Sequence, residues 1–128
     1  MDLTFTPDEL AFRDQVRAFV DEKLPADVAR KVLEHKRLEK DDVLRWHRAL
    51  YEKGWIAPSW PEKYGGAAWN AIQNHIFDEE SAARGAPRLS PFGLSMIGPV
   101  LIAYASEAQK QAFLPGILSG DTWWCQGY

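Results

Sequence analysis

Apolar positions along the chain recur mostly at helical spacing. Phe12, Val16, Phe19 and Val20 fall three or four apart, the period of a helix with one buried face. Thr6-Pro7-Asp8-Glu9 precedes them as a start signal. Thr6 caps, Pro7 suits the first helical position, Glu9 completes a capping box, and Phe5 with Leu10 forms a hydrophobic staple. Pro25 ends this helix near Leu24. The charge-rich stretch 26–39, with Val28, Val32 and Leu33 as a weak apolar stripe, predicts a short exposed helix and then a loop. Val43, Trp46, His47, Leu50 and Tyr51 share one face of a helix over 40–53. Gly54 follows as a left-handed cap, and Trp55 is placed to pack back on Leu50. Residues 57–66, with two prolines and two glycines, read as a turn-rich loop.

A third long pattern runs from Asn70 to Arg84, carried by Ile72, Ile76, Phe77 and Ala83. The next begins near Ser90-Pro91 and carries Phe92, Met96, Ile97, Val100, Leu101, Ile102 and Tyr104. It is apolar nearly all round, which predicts the central, buried helix, bent at Pro99. Ser106 and Gln109 open a last helix, whose apolar face is Ala112, Phe113, Ile117 and Leu118 and in which Pro115 predicts a kink or a short second piece. Thr122-Trp123-Trp124-Cys125-Gln126-Gly127-Tyr128 differs in kind: it is aromatic and β-prone, and a lone strand has no ladder partner. The expectation is an all-α orthogonal bundle of about five to six helices over 1–121. Residues 122–128 then start a strand whose partners lie in a domain beyond this chain.

Composition narrows the function classes. The 128 residues are 46% hydrophobic and 26% charged, with a net charge of -3, the profile of one ordinary globular domain. Such a balance lacks the basic face that nucleic-acid binding needs. No basic segment leads into an apolar run at the start, and no apolar stretch approaches the roughly 20 residues of a membrane span, so a cytoplasmic protein without a membrane segment is expected. The single cysteine, Cys125, permits no internal disulfide. Six tryptophans read first as core anchors.

Candidate chemistry is sparse. Nucleotide-binding glycine motifs, G-x-S-x-G and H-E-x-x-H are all missing from the sequence. His35, His47 and His75 stand on separate elements without ligand spacing, so no metal site is expected. Glu79 and Glu80 point about 100° apart on a helix and do not converge, and Glu80, on the apolar face, reads as the partner of an arginine. Cys125 has no neighbouring base. No catalytic group is expected within the chain.

The order of motifs nevertheless resembles the N-terminal region of acyl-CoA dehydrogenases. The matching blocks are Phe5-Thr6-Pro7-Asp8-Glu9-Leu10, Leu50-Tyr51-Glu52-Lys53-Gly54-Trp55, and Trp60-Pro61-Glu62-Lys63-Tyr64-Gly65-Gly66, similar to the family's Pro-Glu-x-Tyr-Gly-Gly. A Glu-Glu helix and a proline-containing apolar helix follow, then Ser106 to Lys110, Phe113-Leu114-Pro115, Ser119-Gly120-Asp121 and Trp123 to Tyr128. The blocks run in order over essentially the whole chain.

That resemblance implies a flavoenzyme built from a helical domain, a middle β-domain and a C-terminal bundle, with FAD between them. It desaturates an acyl-CoA thioester: a carboxylate, usually in the C-terminal bundle, takes the α-proton while hydride leaves the β-carbon for the flavin, and an electron acceptor reoxidises the cofactor. The family's flavin-contacting Ser/Thr-Glu-Pro would begin one residue after Tyr128. By position, Gln126, Gly127 and Tyr128 correspond to the strand beside the isoalloxazine ring, as hydrogen-bonding groups or as plain strand residues. Leu89, Ser90, Phe92, Gly93 and Met96 correspond to the helix lining the acyl pocket, with plain core packing the other reading of them. The Trp-Trp-Cys-Gln-Gly-Tyr ending resembles members acting on acids other than simple fatty chains. The complete enzyme is expected to be a homo-oligomer. The chain alone is expected to hold no FAD tightly and to associate through the apolar face that would otherwise meet the β-domain. A stand-alone helical interaction module and an acyl-CoA oxidase are the alternatives.

Overall fold

Why the apolar periods close into one core is visible in a computed structural model that describes residues 4–128. The first three residues of the expected 1–121 domain lie outside the described ones. The described residues form six α-helices: α1 (Pro7–Lys23), α2 (Ala26–Leu33), α3 (Lys40–Lys53), α4 (Ala71–Ala83), α5 (Gly98–Tyr104) and α6 (Glu107–Ser119). A 3-10 turn at Glu62–Tyr64 and a π-helix at Phe92–Ile97 complete the regular structure, with no strand among the described residues.

Most helix starts are written locally. Thr6 Oγ1 accepts from the Glu9 amide at 3.3 Å, while the Glu9 carboxylate accepts from the Thr6 amide at 2.7 Å. Ser106 and Gln109 make the same reciprocal box on α6, and Asn70 and Gln73 make it on α4. Each satisfies amides that the first helical turn leaves without a partner. Gly54 closes α3 at φ 79°, and the Trp55 amide reaches back to the Leu50 carbonyl at 2.8 Å, the Schellman ending.

The core gathers Val16, Phe19 and Val20 of α1, Trp46 and Leu50 of α3, Ile76 and Phe77 of α4, and Leu114, Ile117 and Leu118 of α6. At its centre the Trp55 ring lies 4.8 Å from Phe19 and 5.2 Å from Trp69, both edge-on, with Phe12 and Phe77 at 6.3 Å. Trp46, Trp55 and Trp60 are buried anchors, whereas Trp123 is exposed.

Two ion clusters tie helices together. Glu80 accepts from Arg17 Nε on α1 at 2.9 Å and from Arg84 at 2.7 Å, so it is the arginine partner that its apolar surroundings imply. Asp42, buried at the start of α3, accepts from Lys31 Nζ of α2 at 2.7 and 2.9 Å, from the Glu39 amide at 2.9 Å and from Arg45 at 2.9 Å. Arg45 also holds Asp27. Lys31 first, then the Glu39 amide, hold the Asp42 carboxyl at about 2, against an ordinary 3.8. A folded value below the unfolded one stabilises the fold fully above about pH 4, and that stabilisation is lost as pH falls towards about 2. The urea midpoint of the wild type should therefore fall more steeply over that window than that of Asp42→Asn. Parallel slopes would remove Asp42 from acid unfolding.

Three expectations are corrected. The 26–39 stretch is not simply an exposed helix: Val28 has no exposed surface, and the helix docks through Lys31 and Asp27. Pro115 does not divide the last helix, since α6 runs as one element from Glu107 to Ser119. Residues 92–104 are not the central buried helix. Met96 is 49% and Tyr104 87% exposed, and the fully covered positions are Gly93 and Gly98. The turn before Pro99 widens into the π-helix.

Candidate functional site

The loop 55–61, α4 and the π-helix enclose an open cavity of about 610 Å³. Trp55, Ile56, Trp60, Phe77, Leu94 and Ile102 give it an apolar floor. Polar groups sit on its wall: Ser59, Asn74, Asp78 and Ser95. Asn74 and Asp78 are four apart on α4 and so share its face. Ser59 Oγ donates to Asn74 Oδ1 at 3.1 Å, and the Asn74 side-chain amide is anchored on the Asn70 and Trp69 carbonyls. Burial pushes the Asp78 carboxyl above its ordinary value. A large apolar recess with a few fixed polar groups is what a small-molecule site requires.

The loop reaches this position because it folds on itself. The Trp69 amide donates to Pro58 O at 2.8 Å and the Ala68 amide to Trp60 O at 3.0 Å. Gly65 takes the left-handed φ of 83° and Gly66 passes against the Trp60 carbonyl. Trp60 then points its indole Nε1–H at Leu94 O, 2.8 Å away, joining the loop to the π-helix.

The sequence-expected pocket residues divide. Leu89 lines the cavity and an adjoining recess of about 420 Å³. Ser90 lines that recess and, with Gly93, a gap of about 20 Å³ beside Trp124. Gly93 is where α6 comes close: a Cβ there would lie 2.9 Å from Ile117 Cγ2. Phe92 and Met96 are not on the cavity wall. Trp60, Asn74, Asp78, Leu94 and Ser95 were not foreseen as lining residues. The i, i+4 polar pair Asn74 and Asp78, flanking the apolar Ile76 and Phe77 on α4, was the available signal.

Residues 122–128 leave α6 on a firm base. The Thr122 amide donates to Gly116 O at 3.0 Å, Trp123 Nε1 donates to Gly120 O at 3.0 Å, and Trp124 packs edge-on against Phe113 at 5.9 Å. Beyond them Gln126, Gly127 and Tyr128 are exposed, with the Tyr128 hydroxyl on Gln126 Oε1 at 3.2 Å. Among the described residues no backbone hydrogen bond engages the main chain of 124–128. Its amides and carbonyls are open to a further partner.

His47 is buried and donates from Nε2 to Leu118 O at 2.8 Å, and burial pushes its imidazole below the usual value, which favours the neutral ring. Among the described residues no three metal-ligating side chains gather, and no helix is long and apolar enough to cross a membrane.

The family model for the acyl-CoA dehydrogenase N-terminal domain matches residues 6–121. The acyl-CoA dehydrogenase IpdE1 of Mycobacterium tuberculosis is 35% identical over 124 residues, 91% of this chain and 32% of that protein. The acyl-CoA dehydrogenase FadE29 of the same organism is 30% identical over 132 positions, covering 100% of this chain and 32% of its own length. Among solved structures, the Tcur3481-Tcur3483 steroid ACAD superposes with a TM-score of 0.78 at 32% identity, over 94% of this chain and 31% of the other. The ChsE4-ChsE5 complex from Mycobacterium tuberculosis gives a TM-score of 0.75 at 28% identity, over 94% and 30%. The chain thus spans about a third of the length of the relatives it matches.

Proposed function

Because the chain belongs to the acyl-CoA dehydrogenases, as their N-terminal domain, we propose that it supplies one wall of the acyl pocket in a flavin-dependent enzyme that desaturates an acyl-CoA thioester. The cavity under Trp60 and Leu94 carries this reading: it is large, apolar and open on one side, as a wall completed by another domain would be. FAD, when bound, supplies the acceptor for the hydride that leaves the β-carbon. Gln126, Gly127 and Tyr128 fit its edge. All three residues are exposed, and a Cβ at Gly127 would meet nothing within 4 Å, so a planar ring has room to approach. In this reading 122–128 opens the first strand of the β-domain, and Thr122 and Trp123 hold its root.

The α-proton is taken by a carboxylate from outside this chain. Glu80 and Asp42 are each committed to two cationic side chains and are unsuited to proton transfer. The substrate class we assign is a bulky, ring-bearing acyl group. The volume of the cavity and the likeness to the Tcur3481-Tcur3483 steroid ACAD support it. Oligomeric assembly of the complete enzyme is supported by the likeness to the Tcur3481-Tcur3483 steroid ACAD and to the ChsE4-ChsE5 complex.

The complete polypeptide carrying this domain is expected to purify with flavin. With an artificial electron acceptor it should desaturate a ring-bearing acyl-CoA at least about tenfold better in kcat/KM than a straight-chain one. The 128-residue chain alone should show neither stoichiometric flavin absorbance nor turnover. A complete polypeptide that lacks flavin and leaves every acyl-CoA unchanged would overturn the assignment.

A further inference from the structure

The turn at Phe92–Ile97 lacks a donor of its own, and a distant residue provides one. In a π-helix each amide reaches the carbonyl five residues back. The Gly98 amide does so, to Gly93 O. The next carbonyl in the series, Leu94 O, would be met by the amide of residue 99, which is a proline and has none. Trp60 Nε1–H fills that place at 2.8 Å, from 34 positions earlier in the chain. Gly98 makes room for it. A Cβ there would lie 2.0 Å from Trp60 Cζ2 and 2.8 Å from Gly93 O, so only glycine lets the indole slide under the turn. One residue removes a donor, one replaces it and one clears the path, and together they specify a single register.

Register matters because this turn builds the cavity. Leu94, Ser95 and Pro99 are on its wall, and so is Trp60. Relaxation to an α-helical turn would rotate the residues that follow by about 100° relative to those before it. Pro99 would then leave the face that it shares with Leu94 in π register.

We propose that Trp60 is the positioning residue of this wall: its indole N–H substitutes for the amide that Pro99 lacks, holds 92–97 in π register and thereby sets which acyl groups fit. The specificity part rests on the cavity being the acyl pocket, whereas the register part does not. Two measurements separate them.

The first is made on the 128-residue chain. In the wild type the Trp60 indole proton should exchange with solvent far more slowly than that of free tryptophan, and Pro99→Ala, which offers Leu94 O a backbone donor, should speed the Trp60 exchange. An indole that exchanges as fast as that of free tryptophan overturns the proposal, even where Trp60→Phe fails to fold.

The second is made on the complete enzyme. Trp60→Phe keeps an aromatic ring but loses the donor. It should raise KM for a ring-bearing acyl-CoA about tenfold, roughly 1.4 kcal/mol, with kcat within about twofold. Trp60→Phe with Pro99→Ala should return KM to near the wild-type value. A KM unmoved by Trp60→Phe, or no recovery in the double variant, defeats the positioning role. If the wild-type enzyme turns over no acyl-CoA, it is the acyl-pocket reading that fails, and slow indole exchange still supports the register.

Discussion

Gly66→Ala is expected to collapse the cavity loop and to lower the melting temperature by about 10 °C or more, because an alanine Cβ has nowhere to go. Built on the present backbone, it would lie 2.0 Å from the Trp60 carbonyl oxygen and 2.3 Å from its carbon. Those atoms are main chain. They are held by the Ala68 amide at 3.0 Å, and the Trp60 amide is itself bonded to Ala57 O at 3.1 Å. A flexible side chain would swing aside, but this carbonyl moves only if the loop comes apart. Overpacking usually costs about 1–3 kcal/mol, and a rigid obstacle puts this site at or above the top of that range. For a domain of this size that corresponds to the stated shift in melting temperature. Gly127→Ala is the matched control, since its Cβ would meet nothing within 4 Å. Thermal unfolding followed by circular dichroism should separate the two clearly. Similar curves for both would mean that the loop is far more pliable than its hydrogen bonds indicate. The outcome also bears on function, because displacing Trp60 unlocks the π-helix and deforms the cavity wall.

Trp55→Ala should be comparably damaging for the opposite reason. The indole is 8% exposed and stands among Phe12, Phe19, Trp69 and Phe77. Truncation removes its transfer free energy and leaves a void that four rigid rings cannot refill, a loss of about 3–5 kcal/mol. The edge-on pairings that the indole makes with its neighbours vanish as well, at about 0.5–1.5 kcal/mol per pair. Trp55→Phe keeps one ring and should recover more than half of the stability. Equilibrium denaturation in urea, with the slope unchanged, measures both. An alanine variant within about 1 kcal/mol of the wild type would show that the aromatic cluster is not the keystone of the core. Trp55 also floors the cavity, so an alanine variant that still folds should tolerate bulkier acyl groups.

Whether a feature was legible in the sequence depended on how far apart its causes lie. Thr6 with Glu9 and Ser106 with Gln109 announced their helix starts because both partners sit within one turn. Gly54 and Trp55 did the same for the end of α3. Asn70 and Gln73 form an equally local box, and the pattern predicted a helix from Asn70 without reading the reciprocal bonds that start it. Glu80 revealed itself as an ion-pair partner through its place on an apolar face, although Arg17 stands 63 positions away. Pro115 suggested a kink or a second piece because its missing amide is a local fact, whereas α6 continues through it as one element with Leu114, Ile117 and Leu118 packed on the core.

The candidate site was less legible. Resemblance placed Leu89, Ser90, Phe92, Gly93 and Met96 together on the acyl pocket; only Leu89 lines the cavity, Ser90 and Gly93 lie beside it, and the loop residue Trp60 gave no sign of reaching the 92–97 turn. Its hydrogen bond joins positions 34 apart, and no period or cap encodes such a pairing. What the sequence determined by itself was the set of helices, their ends and the apolar mass each must shield from water. Hydrophobic spacing and capping act within a turn or two of the chain, so they survive being read in one dimension. Only the tertiary structure decided what does the shielding. The stretch from 92 to 104 is apolar enough to be a core helix, and yet Met96, Val100 and Tyr104 face outwards. Apolarity states that a surface must be covered. The covering element is chosen by shape and by which acceptors are left without donors, and here that choice set Trp60 against Leu94 and opened the cavity beside them.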